Sequence, residues 1–190
     1  MHHRRGTFFL LAGVLLHAAA GPARAQEAAG PRINLLRVEP RGPDVFIQFN
    51  LAGALNPDLA RKIEAGLETA IRYEIRLYRR YPYWFDEFVD LRRYRVAVTY
   101  DPVTREYVVN ETMDGKPLRR TTTGDFAEAS RSLVSRANLL VFRVGKEQPR
   151  RNLYVVMRGR FDAGYLFTII PVDSKTPWKK SRRFNIRQAA

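Results

Sequence analysis

Residues 69–80 read TAIRYEIRLYRR, and this stretch decides the fold. Apolar and charged side chains alternate along it. The apolar set is Ile71, Tyr73, Ile75 and Leu77. The set on the opposite face is Arg72, Glu74, Arg76 and Arg80. Successive side chains leave a strand on opposite faces, so this alternation predicts a strand with one buried face. We predict a long antiparallel strand pair at residues 67–80 and 85–100, joined by a turn at 81–84.

The N-terminal 25 residues are organised like a secretory signal peptide. A basic start is followed by a short apolar core at residues 7–16 and by Ala-Arg-Ala, which ends at Ala25. This pattern predicts cleavage between Ala25 and Gln26 and export of the mature chain. The apolar core is shorter than the roughly 20 residues that a bilayer-spanning helix needs. We therefore expect that the processed protein is not an integral membrane protein.

The net charge and the absence of certain residue types narrow the range of functions that the chain can have. The chain has 33 Lys and Arg against 19 Asp and Glu, a net charge of +14, and no cysteine. Its three histidines, His2, His3 and His17, all lie in the predicted leader. The mature chain therefore lacks Ser-His-Asp and Cys-His nucleophile systems, disulfides, and metal sites built from imidazole or thiolate. We expect no metal, no cofactor and no enzymatic activity.

The mature chain is predicted to have a spacer at residues 26–31 and a single β-rich domain at 32–190. Further strands are predicted at residues 33–38, 45–51, 105–112, 117–122, 139–144, 153–161, 165–170 and 180–186. The turns between them are short, whereas a parallel sheet needs long crossovers. We therefore predict a mainly β protein with an antiparallel β-sandwich or strongly curved sheet of about eight or nine strands.

Two short helices and one irregularity complete this prediction. Asn56 is a suitable N-cap for a helix at residues 57–65. Asp125, with an acidic residue three positions later, forms a capping box for a helix at 126–136. In the second long strand the apolar positions change parity at Arg92-Arg93, which predicts a bulge or a break there.

The long hairpin resembles a family of small exported bacterial proteins. The similar segments are YEIRLYRR at 73–80, YWFDE at 83–87, YRV at 94–96 and YDPVTREY at 100–107. With the capped second helix and Trp178, the chain is similar over residues 33–186 to the family catalogued as domain of unknown function 4390. The resemblance implies export and a compact β-rich domain, and it brings no established activity.

The densest acidic group is Asp86, Glu87 and Asp90. Two carboxylates at such positions could serve glycoside hydrolysis, or the group could hold a hard cation. Alternatively, the carboxylates pair across the hairpin with neighbouring arginines on a solvated face. The candidate partners are Arg79, Arg80, Arg92 and Arg93. We favour pairing, because catalytic carboxylates are usually assembled around a cleft from distant parts of a fold.

The turn between the long strands holds the best recognition candidates. They are Arg79, Arg80, Tyr81, Tyr83, Trp84 and Asp86. Arginine forks bind carboxylate and phosphate groups, and exposed aromatic side chains offer rigid contact area. Alternatively, Tyr83 and Trp84 fold back as a hydrophobic plug that closes the end of the sandwich. We favour the plug, because buried aromatic side chains dominate small cores.

The C-terminal part of the chain is strongly basic. Its cationic residues are Lys175, Lys179, Lys180, Arg182, Arg183 and Arg187. They could form a solvated edge strand, contact anionic lipid headgroups or cell-wall polymer, or dock on an acidic protein. Nucleic acid is not an expected partner, because export takes the chain away from it. A Ser/Lys nucleophile pair here would require a buried lysine, which this composition does not favour.

These observations favour an exported, non-enzymatic binding or accessory module at the bacterial envelope, either periplasmic or extracellular. Its partner would be an envelope protein or an anionic envelope surface. The expected contact surface is the turn between the long strands, with the basic C-terminal segment as a possible extension. Two alternatives remain open at this point: a carboxylate-dependent hydrolase of cell-wall glycans, and a basic binder of anionic lipid or polymer surfaces.

Overall fold

A computed structural model describes residues 30–161 and 175–186, and nine strands and two helices lie in this part of the chain. The strands are β1 (Arg32–Arg41), β2 (Asp44–Ala52), β3 (Thr69–Arg79), β4 (Glu87–Asp101), β5 (Glu106–Met113), β6 (Lys116–Thr123), β7 (Ser135–Arg143), β8 (Leu153–Phe161) and β9 (Lys179–Lys180). The helices are α1 (Pro57–Glu64) and α2 (Phe126–Val134). The predicted cleavage site at Ala25 and Gln26, the predicted strand at 165–170, and Arg187 lie outside the described residues.

The strands form two sheets, and every pairing among the described residues is antiparallel. The smaller sheet has the order β1-β2-β7, and the larger has the order β6-β5-β4-β3-β8-β9. The two sheets share one core: the ring of Phe49 on β2 lies 4.6 Å from that of Tyr73 on β3, centroid to centroid. The predicted mainly β, antiparallel architecture with two short helices is confirmed.

The alternating strand lies at the centre of this arrangement. β3 pairs along its length with β4 on one side and with β8 on the other. The predicted inward residues, Ile71, Tyr73, Ile75 and Leu77, are at most 1% exposed. The hydroxyl of Tyr73 donates a 2.6 Å hydrogen bond to the carbonyl of Leu133 near the end of α2. This bond satisfies a polar group that would otherwise be buried without a partner.

The irregularity in β4 lies at a different residue from the one predicted. The pairing with β3 is continuous through Arg92 and Arg93, so a bulge there is wrong. The register shifts at Val89, which has no partner of its own. Arg92 takes an inward-facing position, and its Nε donates to the carbonyl of Val141 at 3.2 Å. A long arginine side chain tolerates such a position because its guanidinium reaches a polar partner beyond the apolar interior.

The C-terminal strand is much shorter than predicted. Instead of spanning 180–186, it consists of two residues, Lys179 and Lys180, and only single bridges continue the pairing. The side chain of Ser181 explains the interruption, because its Oγ accepts a 2.9 Å hydrogen bond from the backbone of Val155. The Ser181 hydroxyl thus takes the place of a backbone carbonyl as the acceptor of one strand-pairing hydrogen bond. In the described part of the chain, neither helix has the length and hydrophobicity needed to cross a membrane.

Candidate functional site

Residues 80–86 connect β3 to β4, and we refer to them as the aromatic loop. Tyr83, Trp84 and Phe85 are 96%, 80% and 87% exposed. The rings of Trp84 and Phe85 meet edge to face, with centroids 6.5 Å apart. The predicted plug is therefore wrong. The core is formed by other side chains, and Tyr83, Trp84 and Phe85 take no part in it.

Asp86 fixes the far end of the aromatic loop. Its Oδ2 accepts a 2.6 Å hydrogen bond from the Tyr154 hydroxyl, and its Oδ1 accepts a 3.4 Å bond from the Tyr81 backbone. The hydrogen bond from Tyr154 holds the pKa of Asp86 below its ordinary value, and the Tyr81 N–H and the charges of Arg80 and Lys180 act in the same direction. Asp86 is therefore a structural anchor of the loop.

Arg79 and Tyr81 fix the near end of the loop. The Arg79 guanidinium lies 4.7 Å above the centre of the Tyr81 ring, in cation–π geometry, and its Nη1 is 3.8 Å from Oε2 of Glu87. The Tyr81 hydroxyl donates to the same carboxylate oxygen at 3.2 Å. Arg80 is tied through its backbone, whose N–H donates to the carbonyl of Asn152 at 2.9 Å. The loop therefore has a fixed base and an exposed tip.

Asp86 and Glu87 pair with arginines across the hairpin, as predicted, whereas Asp90 pairs with Arg92 of its own strand. Asp86 lies 3.6 Å from Arg80 Nε, and Asp90 lies 3.0 Å from Arg92 Nη2. Glu87 faces Arg79, as described above. A general acid for glycoside hydrolysis needs a raised pKa, whereas the pKa of Asp86 is lowered. Among residues 30–161 and 175–186, no group of three or more His, Cys, Asp or Glu could hold a metal ion.

The structure brings part of the basic C-terminal set next to the aromatic loop. Residues 180–183, which we refer to as the basic segment, run beside the start of β8. Lys180 Nζ lies 3.6 Å from the centre of the Tyr154 ring and 3.9 Å from Oδ2 of Asp86. Arg80 and the basic segment line an open cavity of about 650 Å³. Its residues are Arg80, Lys180, Ser181, Arg182 and Arg183.

The remaining basic candidates lie elsewhere or outside the described residues. Lys179 of β9 pairs with Met157 of β8. Lys175 forms an isolated bridge with Arg160, toward the other end of β8. The predicted basic strand is therefore divided, and the part that reaches the aromatic loop begins at Lys180.

Sequence reasoning missed two residues of this surface. Phe85 was assigned to the second strand, although it directly continues the Tyr-Trp run of the loop, a signal that was available. Tyr154 was not a candidate, because it lies 68 residues from its partner Asp86 and only the pairing of β8 with β3 brings them together. The exposed aromatic run therefore comprises three residues, and its anchor comes from a distant strand.

The chain belongs to the family described as Domain of unknown function (DUF4390), which matches residues 28–166. This match confirms the resemblance found in the hairpin, although it ends before the basic segment and Trp178. No curated protein matches the chain. No solved structure matches it either.

Proposed function

We propose that this chain is an exported, non-enzymatic binding module of the bacterial envelope that docks on a protein partner through the aromatic loop. The observation that carries the proposal is the exposure of Tyr83, Trp84 and Phe85, three consecutive large aromatic residues. Contiguous exposed apolar surface of this kind is characteristic of interaction sites. Aromatic residues and arginine are also the residue types that most often dominate binding energy.

The fixed base of the loop supports this proposal. Asp86 is bonded to Tyr154, Arg79 is stacked on Tyr81, and the backbone of Arg80 is bonded to Asn152. Binding a partner therefore requires little further ordering of the backbone on either side of the aromatic tip. Such preorganisation lowers the entropic cost of association, so a small aromatic surface can contribute effectively to affinity.

The basic segment indicates the chemistry of the partner. Lys180, Arg182 and Arg183 line an open cavity together with Arg80, the first residue of the aromatic loop. An acidic protein surface complements this charge, and the attraction would mainly accelerate encounter. An anionic lipid or polymer surface is the second candidate, favoured by the same cations. The two candidates differ in salt dependence, because contacts made only by exposed charges are screened over about 10 Å at 0.1 M salt.

The carboxylate arrangement does not favour the hydrolase alternative. Asp86, Glu87 and Asp90 each lie near an arginine, and the hydrogen bond from Tyr154 lowers the pKa of Asp86. A retaining or inverting glycosidase needs one carboxylic acid that stays protonated near its working pH. The described geometry therefore supports a binding role more than a hydrolytic one.

The proposal is tested by affinity capture from detergent-solubilised envelope at low and high salt, with the mature chain from Gln26 as bait. The variant bait carries Tyr83→Ser, Trp84→Ser and Phe85→Ser. The control bait carries Val103→Ser, which removes an equally exposed apolar residue from the β4–β5 turn, where Val103 is 89% exposed. We expect a stoichiometric protein that survives high salt with the wild-type and control baits and is lost with the triple variant. Capture of lipid or polymer alone, equal with all three baits and lost at high salt, would overturn the proposal.

Export is tested separately. We expect the full-length chain, expressed in a bacterial host, to be recovered outside the cytoplasm with Gln26 as its first residue, as the leader pattern predicts. Recovery of the unprocessed chain in the cytoplasmic fraction, under conditions in which a control exported protein is processed, would contradict export.

A further inference from the structure

Three arginines lie side by side across the outer face of the larger sheet. Arg72 of β3 pairs in register with Arg95 of β4 and with Arg160 of β8. Residues directly opposite on neighbouring antiparallel strands have Cβ atoms about 4.5–5.5 Å apart, and like charges in such positions destabilise the sheet. The row concentrates positive charge on this face, although Arg160 is paired with Glu74 and Arg95 with Glu68.

The adjacent cross-strand row holds a single carboxylate between two further arginines. Glu74 pairs in register with Arg93 on one side and with Arg158 on the other. Its Oε2 accepts hydrogen bonds from Arg158 Nη2 at 2.8 Å and from Arg160 Nη2 at 3.0 Å, and Oε1 accepts from Arg76. Burial acts to raise the pKa of Glu74, but the hydrogen bonds and the charges of Arg158 and Arg76 outweigh it and lower the pKa. One carboxylate thus orients three guanidinium groups without neutralising them.

Trp178 orders two of these arginines. The guanidinium carbon of Arg76 lies 4.7 Å from the centre of the Trp178 ring, and that of Arg158 lies 4.3 Å from it. Both distances are within the range of cation–π attraction. Because Arg76 and Arg158 are held by both Glu74 and the indole, their positions are set before any ligand arrives.

The arginines surround an open cavity of about 780 Å³ on this face. It extends over β3, β4 and β8 and is bordered by Thr112 and Gly115 of the β5–β6 hairpin. Arg95 at its edge is also paired with Glu68. The cationic residues that line the cavity are Arg72, Arg76, Arg93, Arg95 and Arg160. This volume is in the range of small-ligand sites.

We propose that this cavity, the arginine groove, binds a ligand that carries two or more linked phosphate groups. Guanidinium forks bind phosphate oxygens in pairs, so arginines on three adjacent strands can engage several phosphates at once. A polyphosphate also complements the positive charge of the groove, whose lining holds five arginines and one carboxylate, Glu74. The proposal is independent of the aromatic loop, because none of the loop residues lines the groove.

The test is calorimetric titration of the mature chain with inorganic tripolyphosphate at low ionic strength. The site variant carries Arg93→Gln and Arg160→Gln, which lie on opposite sides of β3. The control variant carries Arg131→Gln and Arg151→Gln, which remove the same charge from α2 and from the β7–β8 connection. We expect one site per chain, at least tenfold weaker binding by the site variant, and unchanged binding by the control. Thermal unfolding of each variant shows that it is folded.

Two results would overturn the proposal. One is the absence of tripolyphosphate binding by the wild-type chain. The other is an equal loss of affinity in the site and control variants, which would indicate general charge attraction rather than a site. Citrate, a multivalent anion without phosphate, is the comparison ligand, and we expect it to bind at least tenfold more weakly. Citrate binding as tight as that of tripolyphosphate would contradict the phosphate assignment.

The phosphates could belong to a soluble molecule or to a lipid headgroup, and a second arm distinguishes these sources. Co-sedimentation uses vesicles of neutral lipid containing a lipid whose headgroup bears two phosphates. Vesicle binding that tripolyphosphate competes away, and that the site variant loses, supports a lipid source. Tripolyphosphate binding without vesicle binding supports a soluble ligand.

Discussion

The hydroxyl of Tyr154 lies 2.6 Å from Oδ2 of Asp86 and donates a hydrogen bond to it. This contact joins the end of the aromatic loop to β8, and Lys180 of the basic segment lies next to both partners. The three regions that form the proposed binding surface therefore meet at one polar contact. Its role is to position the exposed aromatic residues rather than to contact a partner itself.

Removing this contact should loosen the aromatic loop while leaving the core intact. In Tyr154→Phe, Asp86 loses its short hydrogen bond, so the amide of Tyr81, which donates to the same carboxylate, should lose exchange protection. The measurement is residue-resolved hydrogen exchange, with β3 amides as the internal reference. Tyr107→Phe on β5 is the control, since it makes the same change at a tyrosine that packs against Tyr100 and Phe126 rather than the aromatic loop. Unchanged protection at Tyr81 in Tyr154→Phe would contradict the anchoring role.

A buried polar cluster near α2 should contribute strongly to stability. Glu111 is only 3% exposed, accepts a 2.7 Å hydrogen bond from the Tyr94 hydroxyl and lies 3.3 Å from Arg136 Nη2. Arg136→Met would leave the carboxylate buried without its cation, and removing one partner of a buried pair costs about 3 kcal/mol. Urea unfolding at neutral pH measures this loss.

Arg131→Met on the exposed face of α2 is the matched control, with an expected change within about 0.5 kcal/mol. Combining Arg136→Met with Glu111→Gln should recover much of the stability, because both charges are then gone and the amide oxygen can still accept the hydrogen bond of the Tyr94 hydroxyl. A loss below about 1 kcal/mol in Arg136→Met would show that Glu111 does not depend on this cation.

Stability should fall in alkaline solution because of two buried tyrosines. Burial raises the pKa of Tyr73 and, together with the hydrogen bond to Glu111, that of Tyr94, each above the ordinary value of 10.0. The unfolded chain therefore ionises first. The stabilisation is complete below pH 10 and decreases as the pH rises toward the folded-state pKa, by up to about 1.4 kcal/mol per pH unit for each tyrosine.

Denaturant unfolding from pH 8 to 11 measures this slope. Tyr73→Phe should reduce this slope by the contribution of one tyrosine. The variant should also be less stable at every pH, because it loses the hydrogen bond to the carbonyl of Leu133. Stability that stays constant or rises above pH 10 would contradict the assignment of these hydroxyls as buried and protonated.

The sequence predicted the layers of the fold because its strongest signal is periodic. The alternation at Ile71, Tyr73, Ile75 and Leu77 reports directly which face is buried, and short turns make the pairing antiparallel. The bulge at Val89 was missed because Leu91 lies on the outer face and Arg92 on the inner one. Leu91 is apolar but faces outward, and Arg92 is charged but faces inward. The alternation of apolar residues therefore predicted the irregularity three residues after its actual position.

Only part of the candidate site could be predicted, because residue types can be read from the sequence whereas burial and strand register cannot. The arginines and aromatic residues of the turn were recognisable by type, but their exposure depends on whether the core has room for them. Phe49, Tyr73 and Tyr94 pack against one another in the core, and composition alone could not show which aromatic residues take those positions. Arg160 and Arg72 meet only through strand register, so the arginine groove had no local signal.

Removing the loop aromatics should leave the fold as stable as before. Tyr83, Trp84 and Phe85 are exposed, so their simultaneous replacement by serine should change the free energy of unfolding by no more than about 0.5 kcal/mol. Ile75→Ala, by contrast, creates a cavity in the core and should cost about 2–5 kcal/mol. Denaturant titration of both variants measures these changes. A loss above about 2 kcal/mol in the triple variant would contradict the exposed position of these three side chains.

Photo-crosslinking from position 84 in living cells tests the central proposal most directly. The full chain carries a photoreactive phenylalanine analogue in place of Trp84, and the matched control carries it in place of Val103, which is similarly exposed in the β4–β5 turn. If the aromatic loop docks on a protein, irradiation should give one discrete crosslinked species from position 84 and none from position 103. The same species from both positions, or none from position 84 while the chain is exported and folded, would contradict it.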